Sequence, residues 1–133
     1  MQIFSKTDRG RVRTDNQDAY FAGKITDDAV FAVVCDGMGG ANAGNVASEL
    51  AVRHISEYVI RSYRSGMNMT DTEKTLKNAI VSANISLYDK AVNNTELAGM
   101  GTTTVAAFVK DGTAVIAHVG DSRIYLVNGE IKQ

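Results

Sequence analysis

The stretch that decides the fold is VFAVVCDGMGG, residues 30–40. Its first six residues carry no charge, and because alternate residues of a strand point to opposite faces, both faces would be apolar. That pattern is typical of a strand covered on both sides. Asp36 stands where the strand should end, next to a glycine-rich loop. A carboxylate at the tip of a core strand is unfavourable unless it is solvated, hydrogen-bonded or bound to a cation. The stretch therefore predicts a metal or phosphate site around Asp36.

Composition narrows the class of protein. The chain has 133 residues, which is enough for one domain with a core, and its hydrophobic content of 44% is ordinary for a globular protein. A net charge of -1 gives no sign of nucleic acid or an anionic membrane as a partner. No apolar run is long enough to cross a bilayer. The single cysteine, Cys35, excludes an internal disulfide and favours a reducing cytoplasm.

The remaining pattern predicts strands, then two helices, then strands. Residues 2–7 alternate weakly and are expected to form an edge strand. A hairpin should join a strand ending at Gly23 to one beginning near Ala29. A first helix follows the glycine loop, with Asn42 or Asn45 as its cap. The sequence TDTE, residues 70–73, has the form of a capping box and should begin the second helix.

The last third of the chain has β character. Asp111-Gly112 and Asn128-Gly129 are hairpin signals. The sequence GDS, residues 120–122, should interrupt a strand that resumes over residues 123–127. This order of elements favours an α+β fold over alternating βαβ units.

A glycine loop between a strand and a helix also suggests a nucleotide site. From Gly39 the glycine spacing is that of a P-loop, but Asn45 and Val46 replace the required Lys and Ser/Thr. The dinucleotide pattern from Gly37 fails as well, and Asp36 would repel a bare pyrophosphate. A cation between them reverses that repulsion. The residues favour a metal site, and nucleotide binding stays as an alternative.

Oxygen donors at the strand ends suit a hard cation. The Asp36 carboxylate and the Gly37 carbonyl favour Mg²⁺ or Mn²⁺, and two such ions could share one carboxylate. Asp121 is a second acidic residue at a strand end, and Asp15 with Asp18 forms a third group. Each aspartate taken alone is more typical of a turn or a cap.

Arg13 is the candidate phosphate clamp, because a guanidinium binds phosphate oxygens in a fork. Arg9 and Arg11 are interpreted as solvated surface charges. His118 lies on a predicted strand and is interpreted as structural, although it is close enough to Asp121 in sequence to support it.

Four motifs in order resemble one family. They are RTDNQDA at residues 13–19, VCDGMGG at 34–40, GTT at 101–103 and VGDSR at 119–123. Together they are similar to the N-terminal part of a PPM-type, protein phosphatase 2C-like serine/threonine phosphatase of the bacterial kind. The resemblance implies that residues 1–133 are the N-terminal part of a single catalytic domain. It implies a four-layer α-β-β-α sandwich of antiparallel sheets flanked by helix pairs, incomplete in this chain.

The resemblance also implies a site. Asp36 would bridge two Mg²⁺ or Mn²⁺ ions, Gly37 would add its carbonyl, and Asp121 would hold a third, weaker ion. Arg13 would bind the phosphate. Gln17 stands where many members carry a glutamate that holds metal-bound water, with Asp18 beside it. Residues 101–103 would pack under the site as small residues. The implied reaction is in-line hydrolysis of phosphoserine or phosphothreonine in proteins by metal-activated water.

Two departures qualify that reaction. Met38 stands where eukaryotic members carry a histidine proposed as the general acid. The family's later aspartate motifs lie outside this sequence, so the chain is expected to be a truncated fragment with little activity alone. The alternative function is a non-catalytic module, a pseudophosphatase or short form that binds phosphoproteins or a partner. The expected partners are phosphorylated proteins, opposing a Ser/Thr kinase, with no nucleic acid and no membrane. The fragment is also expected to dimerise or swap elements to cover an apolar face.

Overall fold

The secondary structure follows the predicted order of strands, helices and strands. The computed structural model describes residues 1–40 and 43–133. The elements are β1 Asp18–Lys24, β2 Ala29–Met38, α1 Ala43–Ser62, α2 Met69–Val92, a short 3-10 helix Thr95–Leu97, β3 Gly101–Thr102, β4 Thr104–Lys110, β5 Thr113–Val119, β6 Leu126–Val127 and β7 Ile131–Lys132. Among the described residues, none of the helices is both long and apolar enough to span a membrane.

One antiparallel sheet organises the chain. Its strand order is β1-β2-β4-β5, and the short β3 pairs with the end of β2. The predicted hairpin at Asp111-Gly112 is confirmed, and both residues have positive φ, 50° and 73°. Such a turn matches the twist of the paired strands. In the β1–β2 register Asp18 lies opposite Asp36, so both carboxylates are at the same end of the sheet.

The helix pair covers one face of this sheet. Phe31, Val33 and Cys35 of β2 are completely buried there. An apolar stripe on each helix supplies the other side of the core, through Ala47, Ala51, Ile55 and Val59 of α1 and Leu76, Ala79, Ala83 and Leu87 of α2. These residues recur every three or four positions, so they share one face of each helix.

The second face of the sheet is only partly covered. Val34 of β2 is 46% exposed and Ile116 of β5 is 51% exposed. Within the described residues, the prediction that this part of β2 is buried on both sides is therefore wrong. The α+β class with antiparallel strands is confirmed, and of the four expected layers the chain forms one main sheet and one helix pair.

Several local predictions were wrong. Residues 2–7 form no strand in the structure. Asn45 lies inside α1, so it is not the cap, and Asn42 lies outside the described residues. Asn68 rather than Thr70 caps α2, because its side-chain oxygen accepts from the Asp71 amide at 2.8 Å. An extended Asn68 places that oxygen over the first turn, which a residue already inside the helix cannot do.

The strand predicted over residues 123–127 is much shorter. The chain turns away at Gly120, whose φ is 97°, and only Leu126–Val127 forms a strand. That strand pairs with Ile131–Lys132 across the predicted Asn128-Gly129 turn, so this hairpin is confirmed as a separate two-stranded sheet.

Candidate metal and phosphate site

The strand ends create an open cleft. It has a volume of about 770 Å³ and is lined by residues from four separate segments, including Arg13, Gln17, Asp36, Gly37, Thr103 and Asp121. The structure thus brings together Arg13, the predicted phosphate-binding residue, with Gly37 and both predicted carboxylate ligands of the metal. Asp15 also lines the cleft. Asp18 lies outside this lining but opposite Asp36 on the neighbouring strand.

The backbone of Asp36 is held by Thr102 of β3 and by Thr103, which lies between β3 and β4. Its amide donates to the Thr103 hydroxyl at 3.0 Å, and its carbonyl accepts from the Thr103 amide and the Thr102 hydroxyl, both at 2.9 Å. These bonds fix the strand tip and leave the carboxylate to the cleft. The resemblance implied only that these threonines are small, whereas in the structure they also hold the backbone of Asp36 through hydrogen bonds. The sequence signal for this role was a pair of adjacent hydroxyl residues directly before β4.

Gly37 is required by packing. Its amide donates to the Gln17 carbonyl at 3.0 Å. A Cβ at Gly37 would overlap the backbone carbonyl of Gly44 in the first turn of α1. A Cβ at Gly44 would in turn overlap the side-chain oxygen of Gln17. The strand tip, the helix and the segment before β1 thus meet in close contact, and helix backbone occupies the space beside Gly37.

Two carboxylates lie beside one guanidinium. Partial burial raises the pKa of Asp18, the negative charge of Asp36 raises it further, and Arg13 opposes both effects. A raised carboxyl pKa means that the contribution of this group to stability is present below its ordinary pKa and is lost as pH rises through the raised one. A cation bound at Asp36 would relieve this repulsion. The charge arrangement therefore fits a cation site.

The donor set suits Mg²⁺ or Mn²⁺ in kind but is small. Asp36, Asp121 and the Gly37 carbonyl are hard oxygen donors. Among the described residues, however, His, Cys, Asp and Glu side chains form no group of three or more that could hold a metal ion. The residues present could supply some of the ligands of an Mg²⁺ or Mn²⁺ site, and further ligands would have to complete it.

Met38 forms the rim of the cleft and its side chain lies against Gly101. It also lines a neighbouring groove of about 600 Å³ with a mostly apolar wall, formed by α1, α2 and the segment before β4. A thioether carries no acidic proton, so Met38 cannot act as a general acid.

The sequence matches the family model of protein phosphatase 2C over residues 7–133. The chain belongs to the protein phosphatase 2C family. It is 39% identical over 126 residues to the serine/threonine phosphatase stp of Listeria monocytogenes, covering 95% of this chain and 50% of that protein.

Solved structures of protein phosphatase 2C relatives agree with the fold. The serine/threonine phosphatase Stp1 from Staphylococcus aureus superposes with a TM-score of 0.86 at 38% identity, covering 96% of this chain and 50% of that one. The catalytic domain of the serine/threonine phosphatase PstP, in complex with two manganese ions, superposes with a TM-score of 0.79 at 32% identity, covering 96% of this chain and 52% of that one. The chain therefore spans about half the length of the relatives it matches.

Proposed function

We propose that this chain supplies one edge of a metal-dependent active site that hydrolyses phosphoserine and phosphothreonine in proteins. The observation that carries the proposal is the cleft in which Arg13, Asp36 and Asp121 meet. The family and a relative with manganese bound support the same chemistry. Because the chain spans about half of its relatives, we take residues 1–133 as the N-terminal part of one catalytic domain.

The proposed metal ligands are Asp36, Gly37 and Asp121. Asp36 and the Gly37 carbonyl would hold two Mg²⁺ or Mn²⁺ ions, and Asp121 would hold a third ion more weakly. Bound there, such cations neutralise phosphate charge and lower the pKa of a coordinated water. Asp18 would stabilise the cation-bound state, because its repulsion with Asp36 disappears when positive charge is added.

Arg13 and Gln17 would act on the substrate and on water. The Arg13 guanidinium can bind two phosphate oxygens in a fork and so orient the phosphorus for in-line attack. Gln17 can accept a hydrogen bond from a water in the cleft through its side-chain oxygen and donate one through its side-chain nitrogen, which would orient that water. Since Met38 carries no proton to give, the leaving serine or threonine oxygen would take its proton from solvent in the open cleft.

The isolated chain should have little activity, because too few ligands are present to hold two ions firmly. The same observation favours a second candidate function, a non-catalytic module that binds phosphoproteins or a partner through Arg13. The substrates would be phosphorylated proteins whose modification a cytoplasmic Ser/Thr kinase supplies. The partly covered sheet face would be covered by dimerisation or by exchange of elements.

Calorimetric titration with Mn²⁺ tests the proposal. We expect micromolar binding to the chain and at least a tenfold loss, about 1.4 kcal/mol, in Asp36→Asn. Asp27→Asn is the matched control, because Asp27 lies exposed in the turn at the opposite end of the β1–β2 hairpin. No Mn²⁺ binding would favour the non-catalytic module instead.

Phosphopeptide assays separate the remaining alternatives. Arg13→Ala should weaken phosphopeptide binding with either candidate function, whereas only the enzyme requires Asp36. ATP binding without added metal would indicate the nucleotide site. Robust Mn²⁺-dependent phosphopeptide hydrolysis by the 133-residue chain would show that its ligand set is sufficient and contradict the expected weak activity.

A further inference from the structure

Thr103 stands between the two predicted carboxylate ligands. Its hydroxyl accepts the Asp36 amide at 3.0 Å and lies 2.7 Å from the Ser122 hydroxyl. Ser122 directly follows Asp121. A hydroxyl has one proton and two acceptor positions, so Thr103 can accept from the amide while it exchanges a second hydrogen bond with Ser122. One buried side chain thereby connects the backbone of Asp36 to the loop of Asp121.

The residue before Asp121 is held as well. Gly120 packs so closely that a Cβ there would lie 2.8 Å from the Thr103 methyl group. The Gly120 carbonyl lies 2.8 Å from Nε2 of His118, and since a carbonyl only accepts, His118 is the donor. Asp121 therefore sits between two neighbours that are both anchored, one on each side. Because both neighbours are held, the backbone at Asp121 has little freedom to shift.

We propose that the hydroxyl pair of Thr103 and Ser122 positions Asp36 and Asp121 relative to each other for binding a divalent cation. The inference rests on the proposed function for the identity of the ligand. Neither hydroxyl needs to touch the cation. Residues that orient metal ligands in this way change metal affinity by about 10- to 100-fold when they are removed.

The chain offers a matched control in the next residue. Thr103 and Thr104 are each 5% exposed. The Thr104 hydroxyl faces Cys35, with Oγ1 3.5 Å from the thiol sulfur, and not the cleft. Thr104→Val therefore removes an equally buried hydroxyl from the same strand region without touching the connection between the carboxylates. A merely structural role for Thr103 would make the two valine substitutions equivalent.

The first test measures Mn²⁺ affinity by calorimetry on the 133-residue chain. We expect Thr103→Val and Ser122→Ala to weaken binding by about 10-fold or more. Thr103→Ser keeps the hydroxyl and should stay within about threefold of the parent, and Thr104→Val should leave affinity unchanged. The double variant should lose little beyond either single one, because the two residues act as one unit. Equal affinities for the parent, Thr103→Val and Ser122→Ala would overturn the proposal.

The second test needs no metal and does not require that Thr103→Val folds. Ser122→Ala removes one hydroxyl from a part-exposed residue, and amide hydrogen exchange can then be followed at Asp36, on the far side of Thr103. We expect faster exchange at the Asp36 amide in Ser122→Ala and unchanged exchange in Thr104→Val. Unchanged exchange in Ser122→Ala would refute the coupling. If the parent chain bound no Mn²⁺ while exchange responded as expected, the proposed function would fail and the coupling would stand.

Discussion

The two faces of β2 have the same chemistry and different surroundings. Val33 is completely buried beneath the helix pair, whereas its neighbour Val34, which points to the other side of the sheet, is 46% exposed. We call the face that carries Val33 the covered face. The opposite face, which carries Tyr20, Val34 and Ile116, is the open face. Since both faces are apolar, the contrast shows that hydrophobic pattern reports what a strand is suited to bury. It does not report which element does the burying.

The open face also bears on the candidate site. Alternate residues of a strand share a face, so Asp36 lies on the same side of β2 as Val34. Asp18 and Tyr20 are similarly placed on β1, and His118 and Ile116 on β5. Whatever packs on the open face would therefore stand next to the carboxylates. Such a position could supply the ligands that the described residues do not provide.

The largest expected difference between the faces is in thiol reactivity. Cys35 is completely buried on the covered face, and burial raises the pKa of its thiol. We expect Cys35 to react with a disulfide reagent at least about 100-fold more slowly than a cysteine placed on the open face by Val34→Cys in a Cys35→Ala background. The neutral thiol stabilises the folded state, and this contribution is lost as pH rises through its raised pKa. The protection of Cys35 from the reagent should therefore fall at high pH. Similar rates at both positions would mean that the covered face opens readily.

The next largest effect is on unfolding. Val33→Ala removes two methyl groups from a sealed core and should lower the free energy of unfolding by about 2–3 kcal/mol. Val34→Ala removes the same atoms from the open face and should cost less than about 1 kcal/mol. Urea denaturation measures both values. A comparable loss at Val34 would show that this face is covered in solution, for example by a second copy of the chain.

Self-association tests that last possibility directly. If copies of the chain cover the open face mutually, Ile116→Lys should weaken association by at least about 10-fold, because a charge is then buried without a partner. Ile85→Lys is the control, since Ile85 lies on the helix pair and is exposed to a similar degree, 56% against 51% for Ile116. Sedimentation velocity over a range of concentrations measures the association. Equal effects of the two lysines, or a parent chain that is monomeric throughout, would contradict an interface on the open face.

The smallest expected effect is on the stability of α2, one of the two helices that cover the sheet. Asn68→Ala removes the cap of α2 and should cost about 1 kcal/mol, whereas Thr70→Ala, within the helix, should cost less than about 0.5 kcal/mol. Thermal unfolding followed by circular dichroism measures both. The reactivity of Cys35 should rise slightly only in Asn68→Ala. If Thr70→Ala were the more harmful, the capping box expected from sequence would be the better description.

Local periodicity predicted much of the fold. The hairpins at Asp111 and Asn128 carry residues that favour tight turns, and both form. The start of α2 was misplaced because an Asn and a Thr-x-x-Glu pattern compete within a few residues, and only three-dimensional packing chooses between them. The strand expected over residues 2–7 failed because weak alternation without pairing partners does not make a strand.

Most of the residues named from the sequence line one cleft, but the sequence did not predict the contacts that support them. A carboxylate after an apolar run is visible in sequence, so Asp36 and Asp121 could be named in advance. The connection through Thr103 and Ser122 spans 19 residues of chain and forms beyond the paired ends of β4 and β5, where no local pattern in the sequence predicts the contact. The same holds for the approach of Gly44 to Gly37, which depends on where α1 docks.

The close contact between Gly44 and Gly37 limits the substitutions that can test Gly37 as a metal ligand. Since any added side chain collides with helix backbone, an inactive Gly37→Ala protein would reveal nothing about its carbonyl as a ligand. Exchanging the carbonyl oxygen of Gly37 for sulfur, by chemical ligation, leaves the glycine in place and makes the donor soft. A soft donor should penalise Mg²⁺ and be tolerated by a thiophilic ion such as Cd²⁺. Metal identity, instead of side-chain size, then becomes the probe of this position.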